Sequence, residues 1–375
     1  MFAPRIPGYG ERVPQDPDQI RPVSLPPAVG DAILHAEPLR HGQANAATGG
    51  IWRVHGPAGT AIVKVARRPT AADPPKAFST SDVPTHWNYW RRESLAYETG
   101  LAATAYADAG ITAPALLGAR TRPDGGIELW LADVGGTGGF GWPVPRLARF
   151  ARELGVTQAR WAGRVPDIGW LSRRWLAQYL AAAPNWVGPV PDAVWDHPNV
   201  APWPEPVRAR LRELWAGRDR ILAVAEAAER TLCHLDVWPA NLADDAGHSI
   251  LLDWAFTGAG AVGEDLANLV IDCFTDGLMD IARLPELAEA AVDGYLAGLR
   301  AGGWAGSDDA VRTAIYASGA AKYSWFGPAM AVRAARDDLG RSSYRQDTSA
   351  AAAIRRLTPL VTLIADWADQ ITVLR

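Results

Sequence analysis

The stretch Cys233-His234-Leu235-Asp236-Val237-Trp238-Pro239-Ala240-Asn241-Leu242, followed by Leu251-Leu252-Asp253-Trp254, decides how this chain is read. Two acids and an amide fall within 18 residues, each bordered by apolar side chains that would hold the backbone against a core. Carboxylates set among such neighbours are not there for solubility, since burying an unpaired charge is costly. The spacing predicts Asp236 on a loop leaving a buried strand, Asn241 at the return of that loop and Asp253 at the end of the next strand. Gathered at one edge, Asn241 and Asp253 would offer oxygens to a hard cation such as Mg2+. Asp236 would be left to orient a hydroxyl and accept its proton.

Upstream of this segment the chain reads as strands. An extended piece over 37–41 leads into a loop over 42–50. Strands over 51–54 and 61–65 follow, joined by a turn whose Gly56, Pro57 and Gly59 are breakers. A loop over 67–85 precedes a helix predicted over 86–108, stopped by Gly110. Two more strands, over 115–119 and 127–133, flank the turn Pro123-Asp124-Gly125-Gly126. After the glycines of 135–139 helical periodicity takes over, at 144–154, 168–182, 205–229, 264–282 and most of 285–375. The layout is an α+β chain in three parts: a Pro-rich N-terminal arm over 1–36, a strand-rich lobe over 37–134 and a helical lobe over 135–375.

The pattern His-x-Asp-x-x-x-x-Asn with a strand-end Asp resembles the catalytic loop and metal-binding Asp of protein-kinase-like phosphotransferases. It is most similar to the aminoglycoside phosphotransferase and choline kinase group, which usually writes the loop HGDLHPGN or HGDLWPGN, then IDF or IDW. Leu235 and Ala240 stand here where Gly is usual. The downstream Glu264-Asp265-Leu266-Ala267 also fits the group, in which the acid at Asp265 is mainly structural and the histidine at His234 braces the loop.

The resemblance covers roughly residues 37–275 and implies a bilobal fold, a small antiparallel sheet with one long helix over a large helical lobe. It implies Lys64, on the strand Ile62-Val63-Lys64-Val65, as the ammonium that reaches nucleotide phosphates. Glu93 would be its acidic partner, with Glu98 in reserve. The 42–50 loop would lie over the phosphates, with Asn45 as a contact, and the backbone of Ala132 and Val134 would meet adenine. Asp236 would be the hydroxyl-orienting base, and Asn241 and Asp253 the Mg2+ ligands. The implied nucleotide is ATP, with GTP open, and the implied partner is a small hydroxylated acceptor.

Composition narrows the field. The chain has 375 residues, 48% hydrophobic, which excludes disorder as its main state. A net charge of −4 argues against a nucleic-acid partner. No apolar run approaches the ~18 residues that would span a bilayer, and two cysteines make no disulfide framework. A cytoplasmic location follows as the expectation. The sequence holds only three lysines (Lys64, Lys76, Lys322) among 37 basic residues. Codon bias accounts for Lys76 and Lys322, whereas Lys64 sits where the chemistry calls for a lysine.

Two features bear on the acceptor. Asp265, Asp272, Asp276 and Asp280 recur at helical spacing within 264–282, an acidic face suited to a cation such as an aminoglycoside or amino sugar. Nine of the 17 tryptophans lie between Trp130 and Trp215, where Trp170, Trp175 or Trp186 would line an acceptor pocket, and Trp238 lies inside the loop itself. Other readings are a kinase of another small alcohol (choline, homoserine or sugar type), a nucleotide-binding pseudokinase, and a metal hydrolase built on His234 and Asp236.

Overall fold

Strand β3 (Thr60–Ala66) alternates: Ala61, Val63 and Val65 turn one way into a core with Trp52, Val54 and Trp130, and Ile62 and Lys64 turn the other way. Around it a five-stranded antiparallel sheet is built from β1 (His35–Pro38) and β2 (Thr48–His55), which precede β3, and from two later strands. The computed structural model describes residues 25–42, 45–70, 78–338 and 347–373. Most of the predicted arm, part of the 42–50 loop and Lys76 lie outside the described residues. The described end of the arm docks on the sheet, with Val29 fully buried and its carbonyl bonded to Ala58 N–H at 3.1 Å.

The helix expected over 86–108 is shorter and broken. Helix α1 (Arg92–Glu98) ends at Gly100, whose φ of +77° is the left-handed stop that glycine supplies at a helix C-terminus. A single turn, α2 (Leu101–Thr104), and a short strand, β4 (Ile111–Thr112), follow. Strands β5 (Leu116–Thr121) and β6 (Ile127–Ala132) then complete the sheet, in the order β1-β2-β3-β6-β5. The chain leaves β6 through Gly136, at φ +87°, where a Cβ would strike the carbonyl of Asp244 at 1.7 Å. Only glycine lets the linker pass this close to the second lobe.

That lobe opens with β7 (Thr137–Gly138) and α3 (Val144–Trp161). The helix expected over 168–182 starts later, as α4 (Trp175–Val187), because Ser172 is held extended by backbone bonds to Thr257 and Ala259. Next come α5 (Asp192–Trp195), α6 (Glu205–Ala227), and the strands β8 (Arg230–Cys233), β9 (Leu242–Asp245), β10 (His248–Leu251) and β11 (Gly258–Ala261). Strands β9 and β10 form a hairpin within a sheet ordered β4-β10-β9-β7, and β8 pairs with β11. Helices α7 (Glu264–Asp272), α8 (Leu284–Ala301), α9 (Asp308–Lys322), α10 (Phe326–Ala335) and α11 (Ala350–Val373) complete the lobe. The largest apolar core runs through it, from Leu147 and Phe150 on α3 to Leu360 and Ile364 on α11. No helix among the described residues is long and apolar enough to cross a membrane.

Candidate active site

The loop between β8 and β9 carries Asp236 and Asn241, and Asp253 follows β10, so β9 and β10 bring all three to one edge. Asn241 donates from Nδ2 to the Asp236 carboxylate at 2.8 Å and to the Asp236 carbonyl at 2.9 Å. These bonds fix the amide orientation and leave Oδ1 as the atom Asn241 can offer elsewhere. Burial, then the charge of Asp253, push the Asp236 carboxyl up to about 7. Asp253 itself stands in the left-handed region, at φ +58°.

Lys64 reaches across from β3. Its Nζ is 2.6 Å from Glu93 Oε2 and 2.7 Å from Asp253 Oδ1, so one ammonium bridges the sheet, α1 and the end of β10. Burial would pull Lys64 down, but Asp253 and Glu93 together hold its pKa above the ordinary lysine value. Burial raises Glu93, and Lys64 counters it. Asp253 is pushed up by burial as well, but Lys64 outweighs this and leaves it below the usual carboxylate range. Glu98, the reserve partner, is exposed on the far side of α1.

The loop is held from behind by a relay of buried groups. Asp265, fully buried on α7, accepts from His234 N–H at 2.8 Å and Leu235 N–H at 2.6 Å. Gln158 of α3 donates to the same carboxylate at 2.8 Å and accepts from Tyr295 of α8 at 2.6 Å. Leu235 has φ +68°, which explains why glycine is usual at this point in the group the sequence resembles. A bulky residue in that region is strained by roughly 1–2 kcal/mol, and the Asp265 carboxylate holds its N–H in place. His234 is buried, accepts from Asp236 N–H at 3.3 Å and packs edge-on to Trp254. Burial lowers its pKa to about 4, so it braces the loop as a neutral ring.

Two of the expected nucleotide contacts carry bonds of their own, and one expectation, the acidic face, needs correction. Asn45 spends its Oδ1 on Ala47 N–H (2.9 Å) and on the Asn88 amide (3.0 Å), which makes it a tether between loops. Ala132 N–H is taken by the Ala115 carbonyl at 2.9 Å, so only its carbonyl could meet an adenine edge; Val134 follows the strand end. The acidic face does not form. Helix α7 stops at Asp272, Asp265 is spent on the loop, and Asp280 caps the turn at Ala282.

Of the tryptophans expected at a pocket, Trp175 and Trp186 join an aromatic cluster with Tyr179, Trp87, Phe256 and Leu235 beside the loop. Trp170 packs instead against the main core. Trp238 meets Phe140 edge-on at 5.9 Å. Sequence reasoning passed over Lys322, which is buried against Trp175 and Tyr323 and whose charge reaches Asp236. Its signal was the rarity of lysine, the same signal that marked Lys64.

No protein-family model matches this chain, and no curated protein does. Solved structures resemble it. A choline/ethanolamine kinase family protein from Mesorhizobium loti aligns at a TM-score of 0.51 and 15% identity, over 90% of this chain and 92% of that one. The choline kinase LicA from Streptococcus pneumoniae aligns at 0.50 and 13% identity, over 89% and 94%. The aminoglycoside phosphotransferase APH(3'')-Id from Streptomyces rimosus aligns more loosely, at 0.43 and 17% identity over 76% and 92%. At such identities only architecture is shared: the chain has the bilobal, kinase-like α+β fold of the two choline-kinase-type structures, with Lys64, Glu93, Asp236, Asn241 and Asp253 drawn together where its sheet meets its helices.

Proposed function

We propose that this protein transfers the γ-phosphoryl group of ATP to a hydroxyl of a small molecule. The observation that carries the reading is Lys64, bridged between Glu93 and Asp253 at the edge where Asn241 holds Asp236. In phosphoryl transfer the protein's work is positioning and charge neutralisation rather than covalent chemistry. Lys64 would neutralise nucleotide phosphates, kept in place by Glu93. The 34% exposure of the Asp253 side chain leaves it open to an incoming ion.

The donor set suits Mg2+. Asp253 and Asn241 are oxygen donors, and among the described residues no group of three or more His, Cys, Asp or Glu forms a self-sufficient cage. That fits a cation that draws the rest of its shell from nucleotide phosphates and water. When bound, the ion would offset charge on the transferring group. Asp236, its carboxyl near 7, is tuned to hold an acceptor hydroxyl and take its proton close to neutral pH. Asn241 keeps that carboxylate from turning away.

The experiment is ADP release from ATP, with Mg2+, across a panel of small alcohols and amino sugars. Acceptor-stimulated turnover is expected, ended by chelation and reduced at least about a hundredfold in Lys64→Met by loss of phosphate neutralisation. Turnover insensitive to chelator, or unchanged in Lys64→Met, would remove the basis of the reading.

A further inference from the structure

Lys322 ends α9 with only 7% of its surface exposed. Its Nζ lies 4.8 Å from the ring centre of Trp175, 5.4 Å from that of Tyr323 and 6.0 Å from that of Tyr179. Trp175 and Tyr179 stack one turn apart on α4, with centres 4.7 Å apart and planes 11° from parallel. An ammonium among aromatic faces is how proteins hold organic cations. Here the cation belongs to the chain.

This box adjoins the proposed site of transfer. Trp175, Tyr179 and Leu235 belong to one apolar cluster, and the charge of Lys322 pulls against the rise that burial imposes on Asp236 and Asp272. Yet no described carboxylate forms an ion pair with the ammonium, and Asp272 is engaged by Tyr323 OH at 2.6 Å and the Asn268 amide at 3.0 Å. A buried ammonium needs anions nearby; here its charge acts on Asp236, Glu264, Asp265 and Asp272, but none of them bonds it directly. The indole N–H groups of Trp175 and of Trp186, whose ring is 5.3 Å from Tyr179, are buried and unpartnered. So is the Ser318 hydroxyl, one helical turn before Lys322. Indole and ammonium groups only donate and a hydroxyl can donate as well, so this wall suits a group that accepts.

We propose that the acceptor carries a negatively charged group of carboxylate class, received by Lys322 and the neighbouring indole N–H groups while its hydroxyl lies at Asp236. By the same arrangement the box turns cationic alcohols away, because its cation site is already filled. The inference rests on the phosphotransferase reading for the reaction, but not for the binding. It also replaces the acidic helix face, which pointed to a cationic acceptor and does not form.

The test titrates the full chain with two small probes, D-glycerate and choline, followed by indole fluorescence and by saturation-transfer NMR of the probe. The wild-type chain is expected to bind glycerate about tenfold more tightly than choline, and Lys322→Met to invert that order. Lys322→Arg, which keeps the charge, should keep glycerate ahead and guards against a Met variant that fails to fold. Choline bound as tightly as glycerate by the wild type, neither probe bound, or an order unchanged in a folded Met variant overturns the inference. ADP release is measured on the same preparations. Mg2+-dependent turnover that favours choline would sink this inference and spare the phosphotransferase reading; charge-sorted binding without turnover would do the reverse.

Discussion

Asp236→Asn should lower phosphoryl transfer by about three orders of magnitude while leaving the chain folded. General-base assistance is worth roughly 10²–10⁴-fold, and Asn keeps the shape of the side chain but cannot take the proton. It also keeps an oxygen for the Asn241 amide, which now meets the carboxylate at 2.8 Å, so the loop retains its local bond. The folded protein should gain stability. Burial and Asp253 raise this carboxyl to about 7, so between about pH 4 and 7 the folded chain holds a proton that the unfolded chain releases. Ionising Asp236 therefore costs stability as pH rises through that window. The advantage of Asp236→Asn over wild type, read as the difference in thermal midpoint in metal-free buffer, should be larger at pH 8 than at pH 5. A variant that keeps a tenth of the wild-type rate would show that the hydroxyl proton leaves by another route.

The contrast between the two lysines shows what sequence alone could and could not deliver. Lys64 was legible because its surroundings are local: alternation along β3 sends Val63 and Val65 into one core and Lys64 to the opposite face. Asp236, Asn241 and Asp253 were legible for a similar reason, since one loop and one hairpin fix their separation. Lys322 carried the same rarity signal, but its meaning depends on Trp175 and Tyr179, which lie far upstream and meet it only through packing of α4 on α9.

The acidic face failed on long-range grounds as well. Helix α7 ends where Arg356 of α11, about eighty residues away in sequence, donates to the carbonyls of Phe274 and Thr275 at 2.7 and 3.1 Å. Nothing between 264 and 282 announces that partner. The pairing of β8 with β11, rather than with its hairpin neighbour, is hidden in the same way. It is also what holds Ser172 extended and delays the start of α4.

Arg92→Met should be the most destabilising single change near the site, costing about 3–5 kcal/mol. Arg92 is fully buried next to Glu93, and its guanidinium uses all five N–H groups on main-chain carbonyls. Nε donates to Trp170, one terminal nitrogen to Trp87 and Ala255, and the other to Pro84 and His86, at 2.6 to 3.2 Å. The five carbonyls come from three segments: the approach to α1, the 168–174 stretch and the turn after Asp253. Methionine fills part of the volume and leaves all five acceptors without their donor, and each such loss carries a desolvation cost. Lysine offers three donors in place of five, so Arg92→Lys should fall between the two. Because Ala255 lies two residues beyond Asp253, the same guanidinium ties α1, and with it Glu93, to the strand end that carries Asp253. Urea unfolding should therefore show the order wild type, Lys, Met, with transfer activity falling in step even at urea-free concentrations where each variant is folded. A loss below about 1 kcal/mol in Arg92→Met would mean that water reaches these carbonyls, since exposed hydrogen bonds are worth little more than that. Lys64 would then be the charged link that matters most between the two halves of the site.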